Sequence, residues 1–506
     1  MDIYPGSKFA GIITAHGDVK RYLEQNGVKY EFLIDFNDIE KQFLQEEVDH
    51  EELREFEETL EEKSLWRFIA MDIRWGNPFS KGAMSKLLPH KEAGDQEKIL
   101  RVVYGYIKLF KNILSDFETD VVLFLIGTQG MFTPILEQIC NNMNITHLAP
   151  ADTRMQNYFL LTPTSKITFP RLIETYKEIL AGKLNIDPAP GKKCYQEMRG
   201  FLNDKKISHY AFYSPSEDMK KRIQMAKKPL VFSSFKTLCI SIIRWHSVRM
   251  WEKSKNQGKV PFKLNDLRYR IYKSQLSNYQ LKQMYGNYCY GNYDAKQKYL
   301  YFPLSSQPES KTQVRANMWV NQLSIIEALA KSVPFDWKVY VKEHPYNPGS
   351  DVREPYYYKD IQSYPNVELL PIDLDSHEVM TNSQMVAIIS GTSGWEAVLL
   401  YDKPVIHFDQ ELYEITGLSK TCNNFRSLSR FINSEYKRIN KISKEERKRR
   451  LICLINAVIL DGFWIENPLS LGLTAIQPTE KEITVNSKII AKAIEIYMDE
   501  SKQALQ

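Results

Sequence analysis

The chain contains the stretch Val386-Ala387-Ile388-Ile389-Ser390-Gly391-Thr392-Ser393-Gly394-Trp395-Glu396-Ala397-Val398-Leu399-Leu400, which continues as Tyr401-Asp402-Lys403-Pro404-Val405-Ile406-His407-Phe408. An apolar run is followed by a turn of glycine and hydroxyl residues, a short helical segment, a Lys-Pro corner and a second apolar run. This order predicts a βαβ unit, with strands over 386–389 and 405–408 and a helix over 394–401.

The turn of this unit offers hydrogen-bond donors to an anion. Gly391 and Gly394 allow close approach of backbone, while Ser390, Thr392 and Ser393 supply hydroxyls and amides at a helix N-terminus, a favourable place for phosphate. The stretch has neither Gly-x-Gly-x-x-Gly nor Gly-Lys-Ser/Thr, which disfavours a dinucleotide fold and a P-loop kinase. A capped helix without any ligand is the structural alternative.

A second corner lies upstream, in Trp337-Lys338-Val339-Tyr340-Val341-Lys342-Glu343-His344-Pro345. It is an apolar strand that ends in basic and imidazole side chains, Lys342 and His344, and is closed by a proline. Open α/β sheets bind ligands beyond the carboxyl ends of their strands, so both corners are expected at one sheet edge. A His-Pro corner alone is more often structural, and the pairing of the two corners favours a binding site.

Together the two corners resemble the capsule polysaccharide biosynthesis glycosyltransferases, which combine a His-Pro corner with a Ser/Thr-Ser turn, Glu-Ala and a Lys-Pro-Val strand. Kdo-transferases, bacterial sialyltransferases and teichoic-acid polymerases share part of this theme. The resemblance is best over residues 299–408. It implies an α/β fold of GT-B type: two Rossmann-like domains that face a cleft, with parallel doubly wound sheets, the nucleotide-sugar on the C-terminal domain and the acceptor on the N-terminal domain.

The resemblance also implies roles for single residues. His344 is the expected catalytic group that stabilises the departing nucleotide phosphate, and Glu396, expected in the first turn of its helix, is a weaker contact to the ribose. No Asp-x-Asp metal signature is present, so we expect no metal and no cofactor beyond the nucleotide-sugar donor. The expected phosphate-binding residues are Lys342, His344, Ser390, Gly391, Thr392, Ser393 and Gly394.

The N-terminal half gives weaker indications of chemistry. The candidates for a general base or nucleophile are Asp72, Asp152, His147 and His16. Thr128, Gln129 and Arg154 are expected on the acceptor side. Many members of the resembled family carry an acidic residue where this chain has Gly127-Thr128-Gln129-Gly130. For Asp152 and Arg154 the alternative is a surface ion pair in a loop.

The length of 506 residues predicts two domains. We expect an N-terminal domain over 1–285 that includes a basic helical insertion, a nucleotide-sugar-binding domain over 286–470, and a last helix over 471–506 that packs back on the N-terminal domain. Within these limits the patterns predict a strand over 65–73, a buried central strand over 121–126 and one long helix over 313–332.

Charge is unevenly distributed along the chain. The net charge is +5, but residues 31–62 carry 14 acidic and 2 basic side chains, whereas residues 192–282 carry 21 basic and 6 acidic ones. The basic segment is expected to dock on an anionic membrane surface or to guide an acidic acceptor, unless it pairs with the acidic segment. Aromatic residues within it fit either an interfacial helix or a packed core.

Composition excludes several other classes of protein. Six scattered cysteines without a Cys-x-x-Cys pair indicate neither a disulfide framework nor a zinc site. The apolar run 230–251 is interrupted by charged residues, so no spanning helix is expected, and the N-terminus lacks a signal pattern. We expect a cytoplasmic protein, peripheral on the inner face of the plasma membrane, with no nucleic-acid partner.

The leading hypothesis is a metal-independent glycosyltransferase of capsule or surface polysaccharide, which uses a CMP-activated acidic sugar such as Kdo and a glycan or lipid-linked glycan acceptor. Two alternatives stay open. One is a polyol-phosphate transferase of the teichoic-acid kind with a CDP-polyol donor, and the other is a non-catalytic subunit of polysaccharide assembly.

Overall fold

The structure is a computed structural model. It describes residues 6–13, 30–80, 93–124, 130–155, 157–164, 169–200, 291–307, 311–344, 353, 355–372, 374–466 and 479–504. The chain divides into two compact units. Unit 1 comprises residues 1–78, 89–172 and 458–506, and unit 2 comprises 79–88 and 173–457. The expected boundaries, at 285/286 and 470/471, differ from this division.

Unit 2 is built on a six-stranded sheet whose strands are all parallel. The spatial order is β11-β10-β9-β6-β7-β8, so the chain starts in the middle of the sheet, builds one half, and returns to build the other. This order is that of the doubly wound α/β fold. The strands are β6 (Tyr299–Pro303), β7 (Lys338–Lys342), β8 (Val367–Leu370), β9 (Met385–Ile388), β10 (Val405–His407) and β11 (Ser419–Thr421).

Apolar side chains of the strands and of the covering helices form the core of unit 2. Strands β6 and β9 are buried along nearly their whole length, as expected of central parallel strands. The α-helices of this unit are α7 (Ala189–Gly200), α8 (Leu323–Ala330), α9 (Pro355–Gln362), α10 (Ser376–Asn382), α11 (Thr392–Leu399) and α12 (Leu428–Asn440), while α6 (Pro170–Leu180) and α13 (Lys444–Asp461) span the boundaries between the units.

Unit 1 also combines helices with parallel strand pairs. Strand β1 (Ala10–Ile13) pairs in parallel with β2 (Phe32–Asp35), and β3 (Val121–Leu123) with β4 (Thr146–Asp152). Strands β5 (Tyr158–Thr162) and β12 (Phe463–Trp464) extend the second sheet with antiparallel pairings. The helices are α1 (Phe36–Phe43), α2 (His50–Thr59), α3 (Leu65–Ile69), α4 (Gln96–Asp116), α5 (Phe132–Met143) and α14 (Glu480–Ala504). The last of them, α14, contacts β5 and β12.

The α/β fold class with parallel sheets is confirmed, and three local expectations are wrong. The strand expected over 65–73 is the helix α3, where Leu65 and Ile69 are buried at helical spacing and Trp66 is exposed. The single helix expected over 313–332 is a π-helical turn, a 3₁₀ turn and then α8. Strand β3 lies at the end of the described sheet rather than at its centre, with Leu123 56% exposed.

Several expectations concern parts of the chain that the structure does not describe. The basic segment lies outside the described residues from 201 onwards, and so do His16, Thr128, Gln129 and Pro345. Among the described helices, none is long and apolar enough to cross a membrane.

Candidate functional site: a polar cavity at the switch point of the parallel sheet

The strand order of unit 2 creates a crevice between β6 and β9. From these two neighbouring strands the chain continues to opposite sides of the sheet, and ligands of doubly wound folds bind at this switch point, beyond the carboxyl ends of the strands. A cavity of about 80 Å³ lies there. It is smaller than the roughly 300–1,000 Å³ of sites that enclose a whole drug-sized ligand, and suits one polar group of a larger molecule.

Four chain segments line this cavity. They are the segment after β6, the segment after β7, the start of α10, and the turn between β9 and α11. The structure thus brings together seven of the residues that the sequence singled out. These are Lys342, His344, Ser390, Gly391, Thr392, Ser393 and Glu396.

The turn before α11 has the backbone geometry that the glycines suggested. Gly391 has a φ of 129°, a value that L side chains rarely adopt. Gly394 is needed for packing, because a Cβ there would lie 2.2 Å from the Tyr413 hydroxyl and 2.4 Å from Ile388 Cδ1. Helix α11 begins at Thr392, two residues earlier than expected. Thr392 and Ser393 therefore form its first turn, where backbone amides have no acceptor within the helix.

Glu396 consequently lies two residues further along the helix than expected. It is the fifth residue of α11, is 2% exposed and lines the cavity. Burial raises the pKa of the Tyr301 hydroxyl, and the nearby Glu396 carboxylate adds to this shift. Glu396 thus lines the cavity and does not lie at the N-terminus of the helix.

The pKa of the His344 imidazole is lowered to about 4, so the ring is uncharged at neutral pH. Burial is the main cause of this shift, Glu343 opposes it, and the neighbouring Lys342 and Arg353 cations contribute to it. The neutral ring has one N–H donor and one acceptor nitrogen. A phosphate placed against it would favour the charged form and raise the pKa.

A buried ion pair, one member of which lines the cavity, fixes the segment that carries His344. Arg353 and Glu343 are 0% and 1% exposed, and Arg353 Nε donates to Glu343 Oε2 over 2.8 Å. The Tyr358 hydroxyl donates to the same oxygen over 2.8 Å, and the His344 amide donates to Glu343 Oε1 over 2.7 Å. The Glu343 carboxylate therefore fixes the backbone of His344 by a hydrogen bond to its amide.

The same arginine fixes the segment that follows β6. Its guanidinium donates to the Ser305 carbonyl over 2.6 Å and to Gln307 Oε1. Gln322 completes the arrangement, since its amide group donates to the Ser305 carbonyl and accepts from the Ser305 amide over 2.9 Å. One buried network thus orders both segments that enter the cavity from β6 and β7.

The N-terminal candidates lie in unit 1, and each has local partners there. Asp72 is 2% exposed, accepts from the amides of Arg74 and Trp75 over 2.8 and 3.0 Å, and lies 3.5 Å from the Met131 amide. Burial raises the pKa of its carboxyl group. Asp72 thus lies next to Gly130 and Met131, directly before α5, a relation that the sequence did not reveal.

The other acidic candidate, Asp152, lies at the end of β4. It accepts from the Arg154 amide over 2.9 Å, and the two side chains approach to 3.6 Å in a half-exposed ion pair. Arg154 has a left-handed φ of 64°. His147 is buried within β4 and stacks near Phe124, with ring centroids 6.0 Å apart.

Several residues of the site were missed by sequence reasoning. Ser305 and Ser306 directly follow the first strand of the sheet, and the rule that ligands bind at carboxyl ends would have found them. Ser376 and His377, at the start of α10, and the network residues Glu343 and Arg353 gave no such signal. No group of three or more His, Cys, Asp or Glu side chains that could hold a metal occurs in the described part of the chain.

A polar cavity at the switch point of an α/β unit lies where doubly wound folds commonly bind their ligands. Residues 259–448 match the family model described as capsule polysaccharide biosynthesis protein. Over this segment the chain is similar to that family, and the resemblance expected from its two corners is confirmed. No curated protein matches the chain.

Three solved structures show distant similarity to this chain. The KpsC beta Kdo 2,7 transferase of Thermosulfurimonas dismutans is 8% identical, with a TM-score of 0.35 over 91% of this chain and 94% of its own. The UDP-GlcNAc 2-epimerase of Neisseria meningitidis is 13% identical, with a TM-score of 0.26 over 71% and 80%. A glycotransferase of kitacinnamycin is 12% identical, with a TM-score of 0.25 over 90% and 96%. At this level of similarity none defines the reaction of this chain.

Replacement of Arg353 by Met should lower the free energy of unfolding by about 3–5 kcal/mol, because the buried Glu343 carboxylate would lose its compensating charge. Urea denaturation measures the loss. Arg54→Met is the matched control, since Arg54 pairs with Glu51 in an exposed position and its replacement should cost at most about 1 kcal/mol. Equal losses for the two variants would contradict a supporting role of the buried pair.

His344 should make stability depend on pH. Its folded pKa of about 4 lies below the ordinary value of 6.5, so the unfolded chain binds the proton more readily between these limits. The free energy of unfolding should therefore fall as pH falls from about 6.5 to about 4, and His344→Gln should remove this contribution. Urea denaturation at several pH values compares the variants, with exposed His50→Gln as control. A pH profile unchanged by His344→Gln would show that the imidazole is not held neutral.

Proposed function

We propose that the protein transfers a sugar from a nucleotide donor to a glycan or glycolipid acceptor in the biosynthesis of capsule or related surface polysaccharide. One observation carries the proposal: Lys342, His344 and the turn from Ser390 to Ser393 line a single cavity at the switch point of the unit 2 sheet. The match of residues 259–448 to the capsule polysaccharide family supports the same reading.

The proposed reaction needs a stabiliser for a departing phosphate. When the bond between sugar and nucleotide breaks, negative charge grows on the phosphate oxygens, and donors already aimed at them lower the barrier. In this cavity the donors are the Lys342 ammonium, the His344 imidazole and the first-turn amides and hydroxyls of Thr392 and Ser393. Because no donor has to reorganise during the reaction, the charge is stabilised as it develops.

A neutral His344 has a defined place in this scheme. It enters the complex as a hydrogen-bond donor, and the phosphate raises its pKa. As the phosphate charge grows, the imidazole becomes more easily protonated and opposes the charge more strongly. The buried Glu343–Arg353 pair keeps the ring in position by fixing its backbone amide.

The proposal also includes the sugar donor and the candidate residues outside the phosphate-binding turn. The combination of a His-Pro corner with a serine-containing turn favours a CMP-activated acidic sugar such as Kdo, with Glu396 as a contact to the nucleoside and without a metal. Asp72, whose carboxyl pKa is raised, is better suited to exchange a proton with an acceptor than the half-exposed Asp152. Thr128, Gln129 and Arg154 stay candidates for the acceptor side, and a peripheral place at the inner membrane surface fits a lipid-linked acceptor.

His344→Ala should lower turnover about a hundredfold, as loss of one preorganised donor does, while the fold survives. Turnover with CMP-Kdo, other CMP-sugars, UDP-sugars and CDP-glycerol measures this and identifies the donor. His50→Ala, at the exposed start of α2, is the control. Turnover with CDP-glycerol alone would support polyol-phosphate transfer instead, and absence of binding of any nucleotide in calorimetry would contradict an enzyme and leave an assembly subunit.

A further inference from the structure

A carboxylate from the segment that follows a neighbouring strand accepts hydrogen bonds from the turn before α11. Glu411 lies in the segment after β10, and its Oε1 accepts hydrogen bonds from the Ser390 hydroxyl and, over 2.9 Å, from the Gly391 amide. Glu411 and Gly391 are 20 residues apart in the sequence. Because β9 and β10 pair in parallel, their carboxyl ends lie side by side and bring the two segments together.

The segment that carries Glu411 is itself fixed from the other side. Arg315, in the π-helical turn at Lys311–Arg315, donates to the Gln410 carbonyl over 2.7 Å and approaches the Asp409 carboxylate to 2.9 Å. The Trp319 indole donates to the Phe408 carbonyl over 2.9 Å. Residues 408–410 are thus anchored just before Glu411, which limits where its carboxylate can lie.

These bonds divide the donors of the turn into two groups. The Ser390 hydroxyl and the Gly391 amide donate to Glu411, whereas Thr392 and Ser393 belong to the first turn of α11, and all four residues line the cavity. Gly391, which has a φ of 129°, directly precedes Thr392 and so connects the two groups of donors. A bond to its amide therefore restrains the residue on which the direction of the following amides depends.

We propose that Glu411 is a positioning residue of the phosphate-binding turn: it fixes Ser390 and Gly391 so that the amides of Thr392 and Ser393 present themselves to the donor phosphate. The inference rests on the proposed function for the identity of the ligand, and it assigns to Glu411 no contact with that ligand. The acceptor oxygen matters for this role, and the negative charge does not.

A different role of the carboxylate leads to opposite expectations. If Glu411 occupied the anion site as an internal substitute for phosphate, its removal would free the site and tighten binding of nucleotide. Glu411→Gln distinguishes the two roles, because glutamine keeps an oxygen that accepts from both donors but carries no charge. Glu414→Ala is the matched control, since Glu414 lies on the same segment and accepts from the Thr421 amide and hydroxyl.

The first experiment needs no ligand. Amide hydrogen exchange of the full chain should show faster exchange at Gly391 and Thr392 in Glu411→Ala, by about tenfold, because a bond comparable to a helix cap is lost. Glu411→Gln should exchange within about threefold of the wild type, as should the control Glu414→Ala at these two amides. Unchanged exchange in Glu411→Ala would overturn the proposal.

The second experiment measures binding of CMP by calorimetry. Glu411→Ala should bind about tenfold more weakly, whereas Glu411→Gln should bind at least as tightly as the wild type. Tighter binding by Glu411→Ala, or equal losses in the two variants, would overturn the proposal. If the wild type binds no nucleotide, the proposed function fails on that result, and hydrogen exchange alone decides the role of Glu411.

Discussion

The buried ion pair between Glu343 and Arg353 is the constraint on which the site depends. Two fully buried charges are tolerable only if each is paired and hydrogen-bonded, and here both are. Each hydrogen bond that satisfies one of them also fixes a piece of backbone: the His344 amide on one side and the Ser305 carbonyl on the other. The electrostatic cost of burial is thereby linked to the geometry of the cavity, since neither segment can move without exposing or unpairing a charge.

The cavity that results combines donors of different charge. Its imidazole is neutral, Lys342 contributes an ammonium group, and the start of α11 contributes the partial charges of its amides, while the nearby Arg353 guanidinium is paired with Glu343. Such a site can accept a phosphate that is already charged and respond to further charge by protonation of His344. Because β9 and β10 are neighbours, Glu411 in the segment after β10 also hydrogen-bonds the turn that follows β9.

The sequence predicted the parts of this arrangement that depend on local patterns. Strands β9 and β10 begin and end within one residue of the predicted bounds, because apolar runs of one period end at polar or proline-containing corners. Long-range contacts decided the rest. The Gln322 side chain hydrogen-bonds Ser305 just before α8 begins, and this interrupts the expected long helix. Arg353 and Glu411 hydrogen-bond residues that are distant in sequence, and no local periodicity predicts such contacts.

The central claim is that the switch-point cavity holds the phosphate of a nucleotide. A crystal structure of the protein with CMP tests it most directly. The account predicts the phosphate within hydrogen-bond distance of His344 and of the Thr392 and Ser393 amides, with the nucleoside extending from the cavity along unit 2. A nucleotide bound in unit 1, or one bound in unit 2 with its phosphate turned away from these donors, would contradict the account.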